Sequence, residues 1–137
     1  MAMKRTLESK ITYRIKRSAV PVFIRQDFED IGGYDQVGRI LRQLVKKGLL
    51  MNIGYGAYAR TTQSRLSGKI IPEEPLPNLA KELLRKLGVK ILPTKAEQTY
   101  NNGESTQVPT GLVIGVRGRL SRKIGYNKKV ISFEQYT

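Results

Sequence analysis

The chain has 137 residues, 39% of them hydrophobic, and carries 25 Lys and Arg against 11 Asp and Glu, a formal net charge of +14 at pH 7. It contains no Cys and no His, which excludes disulfides, thiolate metal sites and histidine-based acid–base catalysis. This excess of positive charge indicates a polyanionic partner, for which nucleic acid is the first candidate. Neither a secretory signal peptide nor an apolar run of about 18 residues is recognisable, so we expect a cytoplasmic protein with no membrane partner.

The first part of the chain begins with two predicted helices. Apolar residues four apart predict a helix over residues 6–17. A short β-type run follows at residues 22–24. A second, short helix is expected over residues 25–31, and Gly32-Gly33 ends it because glycine tolerates the backbone conformation of a helix stop.

The third predicted helix has the strongest pattern in the sequence. Its apolar side chains recur at the spacing of one helix face: Val37, Ile40, Leu41, Leu44 and Val45. This spacing predicts an amphipathic helix over residues 35–47, stopped by Gly48. The opposite face of that helix is polar and mainly basic.

A hairpin and a linker are predicted next. Two β-type runs, residues 49–53 and 57–60, are separated by the glycine-bearing segment 54–56, which is typical of a hairpin. Residues 63–77 contain three prolines and few large apolar side chains, and they are predicted to form a linker.

The remainder, residues 78–137, is predicted to form a second small unit. Its helices are expected over residues 79–87, with Asn78 as cap, and over 95–100, with Thr94 as cap. Strands are expected in four places: residues 89–92, 112–116, 119–124 and 129–133.

This order of elements predicts an α+β fold class with a winged helix-turn-helix at its beginning. The winged helix-turn-helix is assigned to residues 1–62, the linker to 63–77 and a small α/β unit to 78–137. The third helix buries one face and leaves the other to enter the major groove of DNA, beside which the hairpin lies as a wing. The second unit is expected to serve partner binding, dimerisation or additional DNA contact.

The third helix supplies most of the candidate contacts with double-stranded DNA. Arginine and glutamine read guanine and adenine in the major groove, which makes Gln36, Arg39 and Gln43 the candidates for base contact. The candidates for phosphate contact are Arg25, Gln26, Tyr34, Arg42, Lys46, Tyr55 and Arg60. The alternative interpretation is that these side chains form an ordinary solvated surface.

The second unit has a basic patch of its own, formed by Arg117, Arg119, Arg122 and Lys123. If residues 112–120 form one regular strand, Arg117 and Arg119 lie on the same face of it. The patch either extends the DNA-binding surface or is a solvated strand face, and the sequence does not separate these alternatives.

The sequence does not indicate an enzyme, a cofactor or a metal site. Nuclease chemistry requires clustered carboxylates that hold a divalent cation. From residue 70 onward the acidic residues are all Glu, and none has the spacing of such a site.

Two segments resemble the AbiEi family of antitoxins from type IV toxin–antitoxin systems. The first contains Val22-Phe23-Ile24-Arg25, Gln36-Val37-Gly38-Arg39 and Ile53-Gly54-Tyr55-Gly56-Ala57-Tyr58. The second contains Ala96-Glu97-Gln98-Thr99-Tyr100-Asn101 and Ser105-Thr106-Gln107-Val108-Pro109. The resemblance extends over residues 15–133.

This resemblance implies an N-terminal winged helix that binds and represses the promoter of its own operon. It also implies a nucleotidyltransferase-like toxin as partner. We therefore expect a sequence-specific transcriptional regulator of the antitoxin type, either monomeric or a homodimer. The alternative is a general nucleic-acid-binding protein without a toxin partner.

Overall fold

The computed structural model describes residues 6–137, which form helices and strands in an α+β arrangement. The chain divides into two compact units between Glu74 and Pro75. The mixed fold class agrees with the sequence prediction. The boundary lies further along the chain than residue 62, because the first unit contains one strand more than predicted.

The first unit contains three helical segments and four strands. In chain order these are α1 (Leu7–Arg17), β1 (Val22–Ile24), a 3₁₀ helix (Arg25–Phe28), α2 (Tyr34–Lys46), β2 (Leu50–Gly54), β3 (Ala57–Gln63) and β4 (Ile70–Pro72). The strands form one antiparallel sheet in which β3 pairs with β1, β2 and β4. The predictions of α1, α2 and the hairpin between β2 and β3 are confirmed to within a few residues.

The helices of the first unit bury the apolar faces that their spacing predicts. Ile11 and Phe28 are fully buried, and so are Val37 and Leu41 of α2. They pack in one cluster with Phe23 and other apolar residues of the sheet. Burial of this kind is the main source of stability for a short amphipathic helix.

The predicted linker is not a linker in the structure. β3 continues to Gln63, and β4 pairs antiparallel with residues 61–63. The prolines that suggested a linker lie where their missing N–H is tolerated: Pro72 at the end of an edge strand, and Pro75 and Pro77 at the beginning of a helix.

The second unit contains two helices and five short strands. In chain order these are α3 (Leu76–Lys86), β5 (Ile91–Leu92), α4 (Lys95–Asn101), β6 (Val113–Arg117), β7 (Gly125–Tyr126), β8 (Lys129–Val130) and β9 (Ser132–Tyr136). β6 lies between β5, with which it is antiparallel, and β9, with which it is parallel. β7 and β8 form a separate hairpin.

Three details of the second unit differ from the prediction. The strand predicted over residues 129–133 is divided in the structure, since β8 ends at Val130 and β9 begins at Ser132. Helix α3 begins at Leu76, ahead of the predicted cap Asn78, because Leu76 is itself buried and Pro75 is its N-cap. The predicted strand over residues 119–124 is absent from the structure. β6 ends at Arg117, and Gly118 then takes a φ of +87°, a conformation that terminates an extended strand.

The prediction of α4 with Thr94 as its cap is confirmed, and the Thr94 side chain accepts a hydrogen bond from the Glu97 N–H.

Candidate nucleic-acid interface

Helix α2 presents a polar surface directly opposite its buried face. Leu41 and Leu44 are at most 1% exposed, which fixes the orientation of the helix. The side chains on the other side are exposed: Asp35, Gln36, Arg39, Arg42, Gln43 and Lys46. We call these six residues the polar face of α2. It contains all three residues predicted to contact bases.

The positive charge on the polar face of α2 is not neutralised by acidic side chains. Within residues 6–137, Arg39, Arg42 and Lys46 form no ion pair. Asp35 is the one acidic residue of the helix and lies in its first turn, where a carboxylate interacts favourably with the helix dipole. The remaining length of the face therefore attracts anions.

Arg25 lies against the beginning of α2. Its guanidinium carbon is 4.2 Å from the centre of the Tyr34 ring, within the range of a cation–π interaction. The same guanidinium packs against the helix at Gly38. A Cβ atom at that position would lie 2.4 Å from the guanidinium carbon. Because Gly38 has no side chain, Arg25 and Tyr34 form a stacked pair at this end of the helix.

The 3₁₀ helix before α2 is held in place by α1. The Arg14 guanidinium donates hydrogen bonds to the Asp27 carbonyl oxygen at 2.8 Å and to both carboxylate oxygens of Asp30 at 2.6 and 2.8 Å. The Arg14 hydrogen bond lowers the pKa of Asp30. The Asp27 carboxylate accepts the Ile24 N–H at 2.9 Å and so fixes the beginning of the 3₁₀ helix. Gln26 lies on this segment and is exposed.

The hairpin between β2 and β3 ends in an exposed tyrosine. Tyr55 is 88% exposed in the turn between Gly54 and Ala57. The Asn52 side chain accepts the Gly54 N–H at 3.2 Å, which stabilises the entry to the turn. Tyr55 is thus presented outward from a hydrogen-bonded hairpin.

Arg60 has a different environment from the other predicted contacts. Its Nη1 donates to the carbonyl oxygens of Ile15 and Ser18 at 2.7 and 2.8 Å, and its Nε and Nη2 bind the Glu73 carboxylate. The Arg60 side chain is only 18% exposed. Because its donors are occupied within the first unit, we remove it from the set of phosphate contacts and assign it a structural role.

The predicted basic patch of the second unit is not organised by one strand. Arg117, Arg119 and Lys123 are exposed and Arg122 is half-buried. The turn at Gly118 breaks the alternation that would have placed Arg117 and Arg119 on one strand face. The predicted patch required one regular strand over residues 112–120, whereas β6 ends at Arg117.

One exposed basic segment was missed by the sequence interpretation. Residues 64–69, which connect β3 to β4, include exposed Arg65, Leu66 and Lys69. The available signal was the presence of Ser64, Ser67 and Gly68 between the β-branched pairs Thr61-Thr62 and Ile70-Ile71, which is typical of a second hairpin.

Comparisons with known proteins identify a family without assigning an activity. Among residues 6–137, no helix has the length and apolar character required to cross a membrane. No curated protein and no solved structure matches the chain. A family model described as a family of unknown function, DUF6088, matches residues 8–137. The chain therefore belongs to the DUF6088 family.

Proposed function

We propose that the chain is a sequence-specific regulator of transcription that binds double-stranded DNA through α2. The observation that carries the proposal is the polar face of α2, which combines two glutamines with three cations that form no ion pair within residues 6–137, on a helix whose other side is buried. An α-helix fits the major groove, and these side-chain types recognise base edges and phosphates there.

The surrounding elements support a winged helix-turn-helix around α2. α1, β1, the 3₁₀ helix, α2 and the β2–β3 hairpin follow one another in the order of that motif. In this arrangement α2 is the recognition helix and the hairpin is the wing. Gln36, Arg39 and Gln43 then contact bases.

The phosphate contacts lie around these base contacts. Arg42 and Lys46 lie on the same face of α2, and the Arg25–Tyr34 pair lies at the beginning of the helix. Gln26 precedes it on the 3₁₀ helix, and Tyr55 projects from the wing. These six residues fix the register of the helix on DNA without carrying sequence information themselves.

The resemblance to AbiEi antitoxins extends this proposal to a biological role. In that role the chain represses its own operon, and its second unit engages either a nucleotidyltransferase-like toxin or a second copy of the chain. No catalytic residue is assigned. The depression on the second unit between α4 and β6 is lined by hydroxyl, amide and apolar side chains, without an acidic or basic one.

A gel-shift experiment with DNA from upstream of the gene tests the proposal. The full chain should bind one duplex of this region in the presence of excess unrelated DNA, and affinity should fall steeply as salt increases. A footprint should then locate the site. Two half-sites about one helical turn apart would indicate a dimer.

The alternative, a general nucleic-acid-binding protein, rests on the exposed Arg117, Arg119 and Lys123 of the second unit. It predicts the same salt dependence without preference for any duplex. Equal binding to the upstream and unrelated duplexes would therefore overturn sequence-specific regulation in favour of this alternative. Absence of binding to both DNA and RNA would overturn both.

A further inference from the structure

The turn between β3 and β4, residues 64–69, presents a fully exposed apolar side chain between two basic ones. Leu66 is 100% exposed, and its neighbours Arg65 and Lys69 are exposed as well. Neither basic side chain forms an ion pair within the part of the chain that the structure describes. No acidic residue occurs between Thr61 and Pro72. A polyanion is therefore the partner that the charge of this turn favours.

Hydrogen bonds hold the β3–β4 turn in one conformation. The Ser64 N–H donates to the Lys69 carbonyl at 2.8 Å, and the Gly68 N–H donates to the Ser64 carbonyl at 2.9 Å. The Ser64 hydroxyl accepts the N–H groups of Leu66 and Ser67, each at 3.3 Å. Leu66 is thus presented by an ordered turn, so little conformational entropy is lost when it binds a partner.

The base of this turn lies at the end of α2. The Thr61 hydroxyl donates to the Gly48 carbonyl at 2.6 Å, and a Cβ atom on Gly48 would be 3.7 Å from Ile70 Cγ1. The wing begins at the opposite end of β3, a strand of 7 residues. At about 3.3 Å per residue, roughly 20 Å separates the two turns.

We infer that the β3–β4 turn is a second DNA-binding element, which inserts Leu66 into the minor groove while Arg65 and Lys69 bind the flanking phosphates. This inference rests on the proposed function of α2. Proteins that bind the minor groove use apolar wedges, leucine among them, to open a base step, and basic side chains beside the wedge bind the backbone. The combination of side chains in this turn matches that chemistry, and its attachment to the end of α2 places it on the same DNA.

Equilibrium binding of the full chain provides the first test. The probe is the footprinted duplex from upstream of the gene, with an unrelated duplex of equal length for comparison. Leu66→Ser should weaken binding to the footprinted duplex by about tenfold or more, the ratio expected for losing burial of a leucine side chain. Val108→Ser, at a 66% exposed residue of the second unit, is the matched control and should bind as the wild type does.

The second test reports unstacking directly. A 2-aminopurine placed at each step flanking the footprint should increase in fluorescence at one step when the wild type binds, and this increase should be lost with Leu66→Ser. The wild type should also bend the duplex within the range of about 20–90° that apolar wedges produce. Arg65→Ala combined with Lys69→Ala should reduce the slope of log affinity against log salt by about two.

The outcomes separate this inference from the function on which it rests. If Arg39→Ala weakens binding but Leu66→Ser binds normally and no 2-aminopurine responds, the inference is overturned while the role of α2 stands. If Leu66→Ser impairs binding to anionic phospholipid vesicles and not to DNA, the turn is a membrane contact, which also overturns it. If the wild type binds no duplex, both proposals fail. Because the Leu66 side chain is fully exposed, the variant should retain the wild-type circular dichroism spectrum and Tm.

Discussion

Helices α2 and α3 bury the same kind of surface and expose different ones. α2 buries Val37, Leu41 and Leu44 in the first unit, and α3 buries Leu79, Leu83 and Leu84 in the second. Their exposed sides differ in how charge is arranged. Glu82 and Arg85 of α3 form an ion pair at 2.8 Å, whereas the arginines of α2 have no acidic partner among residues 6–137.

The difference shows that an amphipathic pattern alone does not indicate a binding helix. Burial of one face explains why both helices form. The exposed arginines distinguish the two helices, because Arg39 and Arg42 of α2 form no ion pair within residues 6–137 whereas Arg85 of α3 does. Both halves of the chain are basic, but residues 1–69 hold 14 basic and 5 acidic side chains, and residues 70–137 hold 11 and 6. The comparison of α2 with α3 leads to four predictions.

The largest effect is expected from removing a buried leucine of either helix. Leu41→Ala and Leu83→Ala should each lower the free energy of unfolding by about 2–5 kcal/mol, because each leaves a cavity at a fully buried site. Urea denaturation measures the loss, and amide hydrogen exchange locates it. Exchange should accelerate in the first unit with Leu41→Ala and in the second with Leu83→Ala. Uniform acceleration through both units in either variant would contradict the assignment of each leucine to the core of its own unit.

The next effect concerns the exposed arginines of the two helices. Arg39→Ala should weaken binding to the footprinted duplex by about 1–3 kcal/mol and broaden sequence preference at one base pair. Arg85→Ala is the matched control on α3, and its affinity for DNA should be unchanged. Lys46→Ala should reduce affinity evenly across sequences. If Arg39→Ala leaves both the footprint and the affinity unaltered, Arg39 does not contact a base.

Gly38→Ala should have only a small effect on stability but should weaken DNA binding. The new methyl group displaces the Arg25 guanidinium from Tyr34, but alanine favours the helix by about 1 kcal/mol over glycine. The Tm should therefore change little while affinity for DNA falls. Arg25→Ala is the comparison, and both variants should lose similar affinity. Normal affinity of Gly38→Ala would show that the stacked pair does not contribute to binding.

The smallest effect is expected from removing the ion pair between Arg14 and Asp30. In this pair an arginine of the first unit has an acidic partner, as Arg85 has in the second unit. Arg14 lowers the pKa of Asp30 from its ordinary value of 3.8. The stabilisation is therefore complete above that value and is lost as pH falls through the lower folded-state pKa. Asp30→Asn should lower the Tm slightly at neutral pH. At a pH below the folded-state pKa of Asp30 it should leave the Tm unchanged. Measuring the Tm of the wild type and of Asp30→Asn across this pH range tests the prediction. A difference in Tm that persists below the folded-state pKa of Asp30 would exclude the ion pair as its cause.

The sequence predicted α1 and α2 because their apolar spacing is regular and their ends carry local signals, whereas the short helix predicted over residues 25–31 is a 3₁₀ helix over Arg25–Phe28. Thr6 caps α1 through the Ser9 N–H, and Gly48 follows the end of α2. The pairing of β6 with β9 was not predictable in this way. The two strands are parallel and separated by the β7–β8 hairpin, so neither local spacing nor a turn specifies their contact.

The site was predictable only where helix geometry determines exposure. The positions of Gln36, Arg39 and Gln43 follow from the helix period, and the structure places all three on one exposed face. The environment of Arg60 does not follow from its neighbours in the chain. Its partners, Ile15, Ser18 and Glu73, are brought to it by the tertiary fold.

The position of the Arg25 guanidinium over Gly38 has a consequence for how DUF6088 sequences diverge. The space that the guanidinium occupies is the space that any Cβ at position 38 would need. Substitutions at the two positions are therefore coupled. Where a relative has a larger residue at the position of Gly38, we expect a shorter or uncharged residue in place of Arg25, and an aligned set of DUF6088 sequences should show this covariation.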